Sequence, residues 1–174
     1  MKLPAGVRVQ SLVPHPDERG DFTELHRLEW GTEVAPVQWN AVRSQPGVLR
    51  GVHVHPRHDD YLVLFEGRAT IGLADLREGA GPPEGVCLDL GRHAPRGITI
   101  PHGVAHGFLF HEPSIHVYAV SHYWDPADEL GCRWDDPELG LPWPPVEPLL
   151  SPRDAALPPL AELRESLWSG VGAS

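Results

Sequence analysis

Proline and glycine are scattered along the whole chain, and their spacing is the feature that most restricts the fold. The 174 residues include 20 prolines and 18 glycines. That is too many for a protein of long helices, because both residue types weaken or interrupt a helix. Short runs of alternating apolar and polar residues lie between them at intervals of about ten residues, which is typical of strands joined by turns. The pattern therefore predicts a β-sandwich or β-barrel.

The alternating runs predict strands, and they are Val7–Val13, Val34–Val42, Val48–Val54, Tyr61–Phe65, Ala69–Leu76, Val86–Leu90, Gly97–Phe110 (two strands) and His116–Trp124. Only Leu157–Trp168 has helical spacing, with Leu160, Leu163 and Leu167 on one stripe. No stretch is rich enough in proline or glycine to be a linker, so residues 1–174 are predicted to form a single domain. The predicted fold is all-β, a small double-sheet barrel of the jelly-roll or cupin type with a short C-terminal helix.

Composition excludes several classes of partner. The formal net charge of −10 argues against nucleic-acid binding, because phosphate backbones are held by excess positive charge. Neither an apolar run of about 18 residues nor a signal-peptide core is found, so we expect no membrane contact. The two cysteines, Cys87 and Cys132, lie in no metal-binding spacing and favour the reducing cytoplasm.

The segment Gln45–Gly67 holds the residues that point most clearly to chemistry. Regular alternation in its first strand predicts one face with Leu49, Gly51, His53 and His55, and an opposite face with Val48, Arg50, Val52 and Val54. Histidine is an unusual residue to direct into the interior of a barrel without a purpose. The strand therefore predicts a functional site inside the barrel, with Arg50 on the other face.

A proton-transfer site can be assembled around His53. An imidazole with an ordinary pKa of about 6.5 is suited to general base catalysis near neutral pH. A carboxylate is needed to hold its tautomer, and Asp154 is a candidate, although Asp154 could instead cap the C-terminal helix. Tyr118 could carry a proton on another side of a substrate. Arg19, Arg50 and Arg153 could hold a phosphate.

Segments across almost the whole chain resemble the dTDP-4-dehydrorhamnose 3,5-epimerase family of nucleotide-sugar enzymes. In chain order they are Asp17–Phe22 (DERGDF), Gln38–Asn40 (QWN), Gly47–His53 (GVLRGVH), Leu73–Arg77 (LADLR), Ile100–Phe108 (IPHGVAHGF), Tyr118, Asp128–Pro137 (DELGCRWDDP), Gly140–Pro144 (GLPWP) and Leu150–Asp154 (LSPRD). Each segment alone is weakly specific, whereas the ordered set is specific.

The resemblance implies a reaction and roles for particular residues. His53 would remove a proton α to the C4 ketone of a dTDP-4-keto-6-deoxyhexose, with Asp154 as its partner, and Tyr118 would return a proton on the opposite face. Arg50 and Arg19 would grip the diphosphate, Arg19 from the partner subunit of a homodimer. No metal or organic cofactor is implied. Further substrate contacts would be Phe22, Glu24, Gln38, Asn40, His106, Glu129 and Arg153.

Two positions depart from the family pattern. Asp60 stands where the family has a lysine facing the enolate oxygen, and Trp124 stands where a tyrosine is usual. Both positions are predicted to lie at the substrate, so these differences bear on which sugar is bound and which carbon is inverted.

Two other functions stay open at this point. The spacing Gly47-x₅-His53-x-His55-x₄-Asp60, followed by His106 after a Pro-x-Gly turn, resembles the metal motifs of cupins. It would place His53, His55, Asp60 and His106 around an ion. A nucleotide-sugar-binding barrel without catalysis is the third possibility. His116 shares the face of Tyr118 but is expected to be a surface or packing residue.

Overall fold

The computed structural model describes residues 2–167, and twelve strands and two short α-helices lie within this range. The strands are β1 (Arg8–Ser11), β2 (Pro14–Asp17), β3 (Gly20–Thr23), β4 (Gln38–Ser44), β5 (Leu49–Val54), β6 (Asp60–Glu66), β7 (Arg68–Asp75), β8 (Val86–Gly91), β9 (Arg96–Ile100), β10 (Val104–Phe110), β11 (Ser114–Val120) and β12 (Leu130–Gly131). The helices are α1 (Pro152–Ala155) and α2 (Leu160–Leu167). Trp168, the last residue of the predicted helix, lies outside the described residues.

Two five-stranded antiparallel sheets carry the fold. The first has the order β1-β9-β6-β11-β4, and the second has the order β12-β5-β10-β7-β8. The crossovers between them give the double-sheet arrangement of a jelly roll, so the all-β prediction is confirmed. The hairpin β2–β3 forms a small sheet of its own. Among residues 2–167, no helix combines the length and the apolar composition needed to span a bilayer.

Apolar side chains from both sheets meet in a core between them. Its buried members are Val7, Leu62, Leu64, Ala69, Ile71, Leu73, Leu88, Leu90, Ile98, Ile100, Val104, Phe108 and Phe110. Burying each large side chain of this kind contributes about 1.5–3 kcal/mol. Tyr118 packs against this core but is only partly buried, which leaves its phenol at the edge of the apolar interior.

Helix α2 covers the outer face of the second sheet. Leu160, Leu163 and Leu167 are at most 2% exposed, as their helical spacing predicts, and they pack with Val52 and Val54 of β5. Strand β5 is therefore buried on both faces, because its other face contributes to the interior of the double sheet.

A bulge in β5 changes which of its side chains face the interior. His53 pairs with His106 and Arg50 pairs with Phe108, so three steps along β5 match two along β10. Gly51 has φ = +108° within this bulge. A side chain at this position would lie 2.8 Å from the carbonyl oxygen of His106. The extra residue brings Arg50 and His53 to the same cavity, and the prediction of opposite faces, which assumed regular alternation, was wrong.

Candidate active site

A cavity of about 220 Å³ opens between the two sheets. Its lining comes from six strands (β4, β5, β6, β9, β10 and β11), from the segments after β5 and before β12, and from α1 with the residue before it. The lining residues are Val42, Arg50, His53, His55, Asp60, Leu62, Ile100, Phe108, His116, Tyr118, Glu129, Ser151, Arg153 and Asp154. Leu62, Ile100 and Phe108 belong to the apolar core, so core side chains and titratable groups line the same cavity.

His53 and Asp154 form a hydrogen-bonded pair in this cavity. The Nε2–H of His53 donates to Oδ1 of Asp154 over 2.8 Å. Burial raises the pKa of Asp154, but the hydrogen bond and charge of His53 outweigh burial and leave that pKa below its ordinary value. Asp154 is therefore ionised at neutral pH and accepts only, which fixes the proton on Nε2 of His53.

The backbone of α1 directs Asp154 toward His53. The hydroxyl of Ser151 caps the helix by accepting the backbone N–H of Asp154 over 3.0 Å. The capping role considered for Asp154 thus belongs to Ser151, and the carboxylate is free to face His53. Arg153 is held beside the cavity, because its guanidinium donates to the carbonyl oxygen of Glu129 over 3.0 Å.

Tyr118 lies on β11, in the sheet opposite to β5. Burial raises the pKa of its phenol, and the negative charges of Glu129 and Asp60 act in the same direction. The phenol is therefore protonated at neutral pH and able to donate a proton. The cavity thus holds the His53 imidazole, hydrogen-bonded to Asp154, in one sheet and a phenolic proton in the other.

Arg50 supplies positive charge at the same cavity. Its Nε donates to the hydroxyl of Ser44 over 2.9 Å, and its Nη2 donates to the carbonyl oxygen of Arg43 over 3.3 Å. These two bonds hold the guanidinium on the first sheet's edge strand. The remaining donors are available to an anion such as a phosphate.

His116 lines the cavity and is buried, so of the two roles expected for it, surface or packing, it has the packing role. Its ring stacks on Phe108 and Phe110 at centroid distances of 5.4 Å. Burial, together with the charge of Arg50, lowers its pKa to about 4. The sequence did hold a signal for this position at the cavity, because His116 shares the alternating face of Tyr118.

A compact group of buried polar side chains adjoins the cavity. His55, Asp60 and His106 each present a ligand atom, and these atoms lie within 4.8 Å of one another. His53 is outside this group and is paired with Asp154 instead. The predicted four-residue metal set is thus only partly assembled, and His106 does not line the cavity itself.

The other predicted substrate contacts lie away from the cavity. Arg19 and Phe22 are on the β2–β3 hairpin, where the Arg19 side chain is 85% exposed and Phe22 is 65% exposed. Glu24 follows this hairpin and pairs with Arg27. None of these three lines the cavity that holds His53.

Gln38, Asn40 and Trp124 form a separate group beside β11. Gln38 donates to the side-chain oxygen of Asn40 over 2.9 Å and accepts the backbone N–H of Trp124 over 3.0 Å. Asn40 pairs with Tyr118 across the β4–β11 ladder. The group therefore neighbours the Tyr118 side of the cavity without lining it.

Comparison with known proteins identifies the family. The model of the family described as dTDP-4-dehydrorhamnose 3,5-epimerase matches residues 3–162. The chain belongs to the dTDP-4-dehydrorhamnose 3,5-epimerase family. The resemblance inferred from the ordered sequence segments is thereby confirmed.

Individual proteins align over most of the chain. The dTDP-4-dehydrorhamnose 3,5-epimerase of Pseudomonas aeruginosa is 36% identical over 152 residues, which are 79% of this chain and 82% of that protein. The spore coat polysaccharide biosynthesis protein SpsL of Bacillus subtilis is 34% identical over 145 residues, 79% of this chain and 95% of SpsL. The structure of ChmJ, a 3'-monoepimerase from Streptomyces bikiniensis in complex with dTDP-quinovose, superposes with a TM-score of 0.86 at 29% identity. That alignment covers 96% of this chain and 91% of ChmJ.

Proposed function

We propose that this chain epimerises a dTDP-4-keto-6-deoxyhexose at C3, at C5 or at both. The observation that carries the proposal is one cavity lined by the His53–Asp154 pair from one side and by Tyr118 from the opposite sheet. Membership of the dTDP-4-dehydrorhamnose 3,5-epimerase family supports the reaction type. The dTDP-quinovose bound by ChmJ supports a dTDP-sugar as substrate.

The first step is removal of a proton from a carbon next to the ketone. Because the proton of His53 is on Nε2, the lone pair of Nδ1 is the base. The electron pair of the broken C–H bond moves into the carbonyl group and forms an enolate. Asp154 stabilises the imidazolium that results, which is the task of a buried carboxylate behind a catalytic histidine.

The second step returns a proton to the same carbon from the other face. Tyr118 is the donor, since its phenol keeps its proton at neutral pH and lies in the sheet opposite to β5. Inversion requires two different proton carriers on two faces, and the cavity supplies them. General acid–base help of this kind is worth about 10²–10⁴-fold for each group.

The diphosphate of the substrate needs positive charge, which the chain as a whole lacks. Arg50 and Arg153 supply it locally at the rim of the cavity. We also propose a homodimer in which the exposed Arg19 and Phe22 of one copy reach the nucleotide bound by the other. The free thiols of Cys87 and Cys132 support a cytoplasmic location.

Proton NMR in D₂O tests the proposal with dTDP-4-keto-6-deoxyglucose as substrate. We expect the wild-type protein to exchange the hydrogen at C3, at C5 or at both. His53→Ala should abolish this exchange, and His93→Gln, which alters an exposed histidine, should not. Absence of exchange by the wild type would contradict the proposed reaction, and full exchange by His53→Ala would remove His53 from its role.

A further inference from the structure

Three buried side chains next to the cavity have no role in the proposed proton transfers. His55 precedes a short connection, Asp60 begins β6 and His106 lies on β10, and each is at most 7% exposed. One ligand atom from each lies within 4.8 Å of the other two. Two imidazoles and one carboxylate in this proximity are a common donor set for divalent transition metals.

Hydrogen bonds on Nδ1 leave Nε2 as the nitrogen of both imidazoles that can bind a metal ion. Nδ1 of His55 lies 3.1 Å from the carbonyl oxygen of Asp128, and Nδ1 of His106 lies 3.2 Å from that of Val104. A carbonyl oxygen can only accept, so each Nδ1 carries the proton and each Nε2 keeps a lone pair. Metal-ligating histidines are usually oriented by this kind of hydrogen bond on the far nitrogen.

The distance from His55 to Asp60 fits a shared ion better than a hydrogen bond. Nε2 of His55 and Oδ2 of Asp60 are 3.9 Å apart, beyond hydrogen-bonding range. Bonds of about 2.0–2.2 Å to nitrogen and oxygen would let both atoms reach one ion between them.

The carboxylate of Asp60 lacks a partner that would justify its burial. Among residues 2–167, no hydrogen bond reaches it, and its ion-pair contacts are Nε2 of His55 at 3.9 Å and Nε2 of His58 at 3.8 Å. His58 is itself hydrogen-bonded to the carboxylate of Asp128 through Nδ1. A buried carboxylate without a hydrogen bond is stabilised by a cation beside it.

We propose that His55, Asp60 and His106 together bind one divalent transition-metal ion. The site faces the substrate cavity, because His55 and Asp60 line it. An ion there would place positive charge where the negative charge of an enolate develops. This last role rests on the proposed function, whereas metal binding itself does not.

Cobalt binding provides the test. The full chain, purified without a histidine tag and stripped with a chelator, is titrated with CoCl₂ and followed by visible absorption and elemental analysis. We expect one equivalent of Co²⁺ and the d–d bands of a nitrogen- and oxygen-ligated ion. Asp60→Asn and His106→Gln should each lower the affinity for Co²⁺ by at least about 100-fold. Loss of a residue that only orients a metal ligand costs up to about 100-fold, and loss of a ligand itself should cost no less.

His102→Gln is the matched control, because His102 is exposed and bonds Asp59 outside the three-residue group. It should bind Co²⁺ as the wild type does. A rise in the thermal unfolding midpoint of the wild type with CoCl₂ gives a readout that needs no variant to fold. Absence of stoichiometric binding by the wild type, or equal binding by Asp60→Asn and His106→Gln, would overturn the inference. If the metal-free protein still exchanges deuterium into the substrate, the proposed epimerase function holds and the ion is not needed for proton removal.

Discussion

Nε2 of His53 lies 2.8 Å from Oδ1 of Asp154, a contact between residues 101 positions apart in the chain. His53 is held in a strand that is covered on both faces. Asp154 is held by a one-turn helix whose cap, Ser151, immediately precedes it. The proposed base and its partner are thus positioned by two independent parts of the fold.

Asp154→Asn should reduce kcat by about 10²–10⁴-fold, because a neutral amide neither holds the His53 tautomer nor stabilises its imidazolium. KM should change little, since Asp154 is not proposed to grip the diphosphate. Steady-state kinetics of the variant check this, with Asp135→Asn as control for an exposed aspartate paired with Arg133. A variant within threefold of wild-type kcat would show that the contact is only structural.

Tyr118→Phe should separate exchange from inversion. The phenol is the proposed donor on the second face, so the variant keeps His53 as a base but lacks the returning proton. Deuterium should still enter the substrate, while product with inverted configuration falls by about 10²-fold or more. Both quantities are measured in one NMR experiment in D₂O, and equal loss of both would place Tyr118 in the first step instead.

Arg50→Lys should raise KM about tenfold and leave kcat nearly unchanged. Lysine keeps the positive charge, but it lacks the planar guanidinium with which Arg50 could bond Ser44 and a phosphate at the same time. Arg92→Lys, at an exposed arginine paired with Glu66, is the matched control. An unchanged KM would indicate that the diphosphate is bound elsewhere.

His116→Phe should reduce the loss of folding stability that the protein suffers when the pH falls from 7 to 5. The folded-state pKa of His116 is about 4 and the ordinary value is about 6.5, so the unfolded chain binds the proton more readily. The stability that follows is fully present above about pH 6.5 and is lost as pH falls toward 4. Between pH 7 and 5 the wild type should lose about 2 kcal/mol more than the variant.

Urea unfolding at pH 7 and at pH 5 measures this difference. Phenylalanine preserves the ring stacking on Phe108 and Phe110 while removing the titrating nitrogen. His93→Gln, at an exposed position, should behave as the wild type does. If the free energy of unfolding falls equally in the wild type and in His116→Phe between pH 7 and pH 5, His116 does not contribute to the pH dependence of stability.

Gly51→Ala should destabilise the protein by about 1–3 kcal/mol. Alanine disfavours φ = +108°, and its Cβ would lie 2.9 Å from Cα of Gly107. Gly91→Ala is the control, because no atom lies within 4 Å of a side chain there. Thermal unfolding of both variants measures the effect, and equal midpoints would contradict a structural need for glycine at 51.

Local pattern was sufficient to predict the layers of this fold. Alternation located every strand of the two five-stranded sheets except the two-residue β12, and the leucine stripe located α2, because burial imposes those periods directly. The bulge in β5 was missed, since a glycine within a strand does not reveal whether an extra residue is inserted. His116 is a packing residue, one of the two roles expected for it. Its place in the cavity lining was not predicted, because alternation does not say which face is lined by a cavity.

Contacts between residues far apart in the chain were harder to predict from the sequence. The pairing of His53 with Asp154 was suggested by chemistry and by family resemblance, whereas nothing local in the sequence brings them together. The predicted roles of Arg19 and Phe22 remain predictions, because they depend on a second copy of the chain.

The bulge at Gly51 also determines how this site could be transferred to another scaffold. Arg50 and His53 are three positions apart, yet both face the cavity. On a regular strand, residues separated by an odd number of positions point in opposite directions. A designer who copied the GVLRGVH segment onto an unbulged barrel would therefore obtain either the imidazole or the guanidinium at the substrate, but not both.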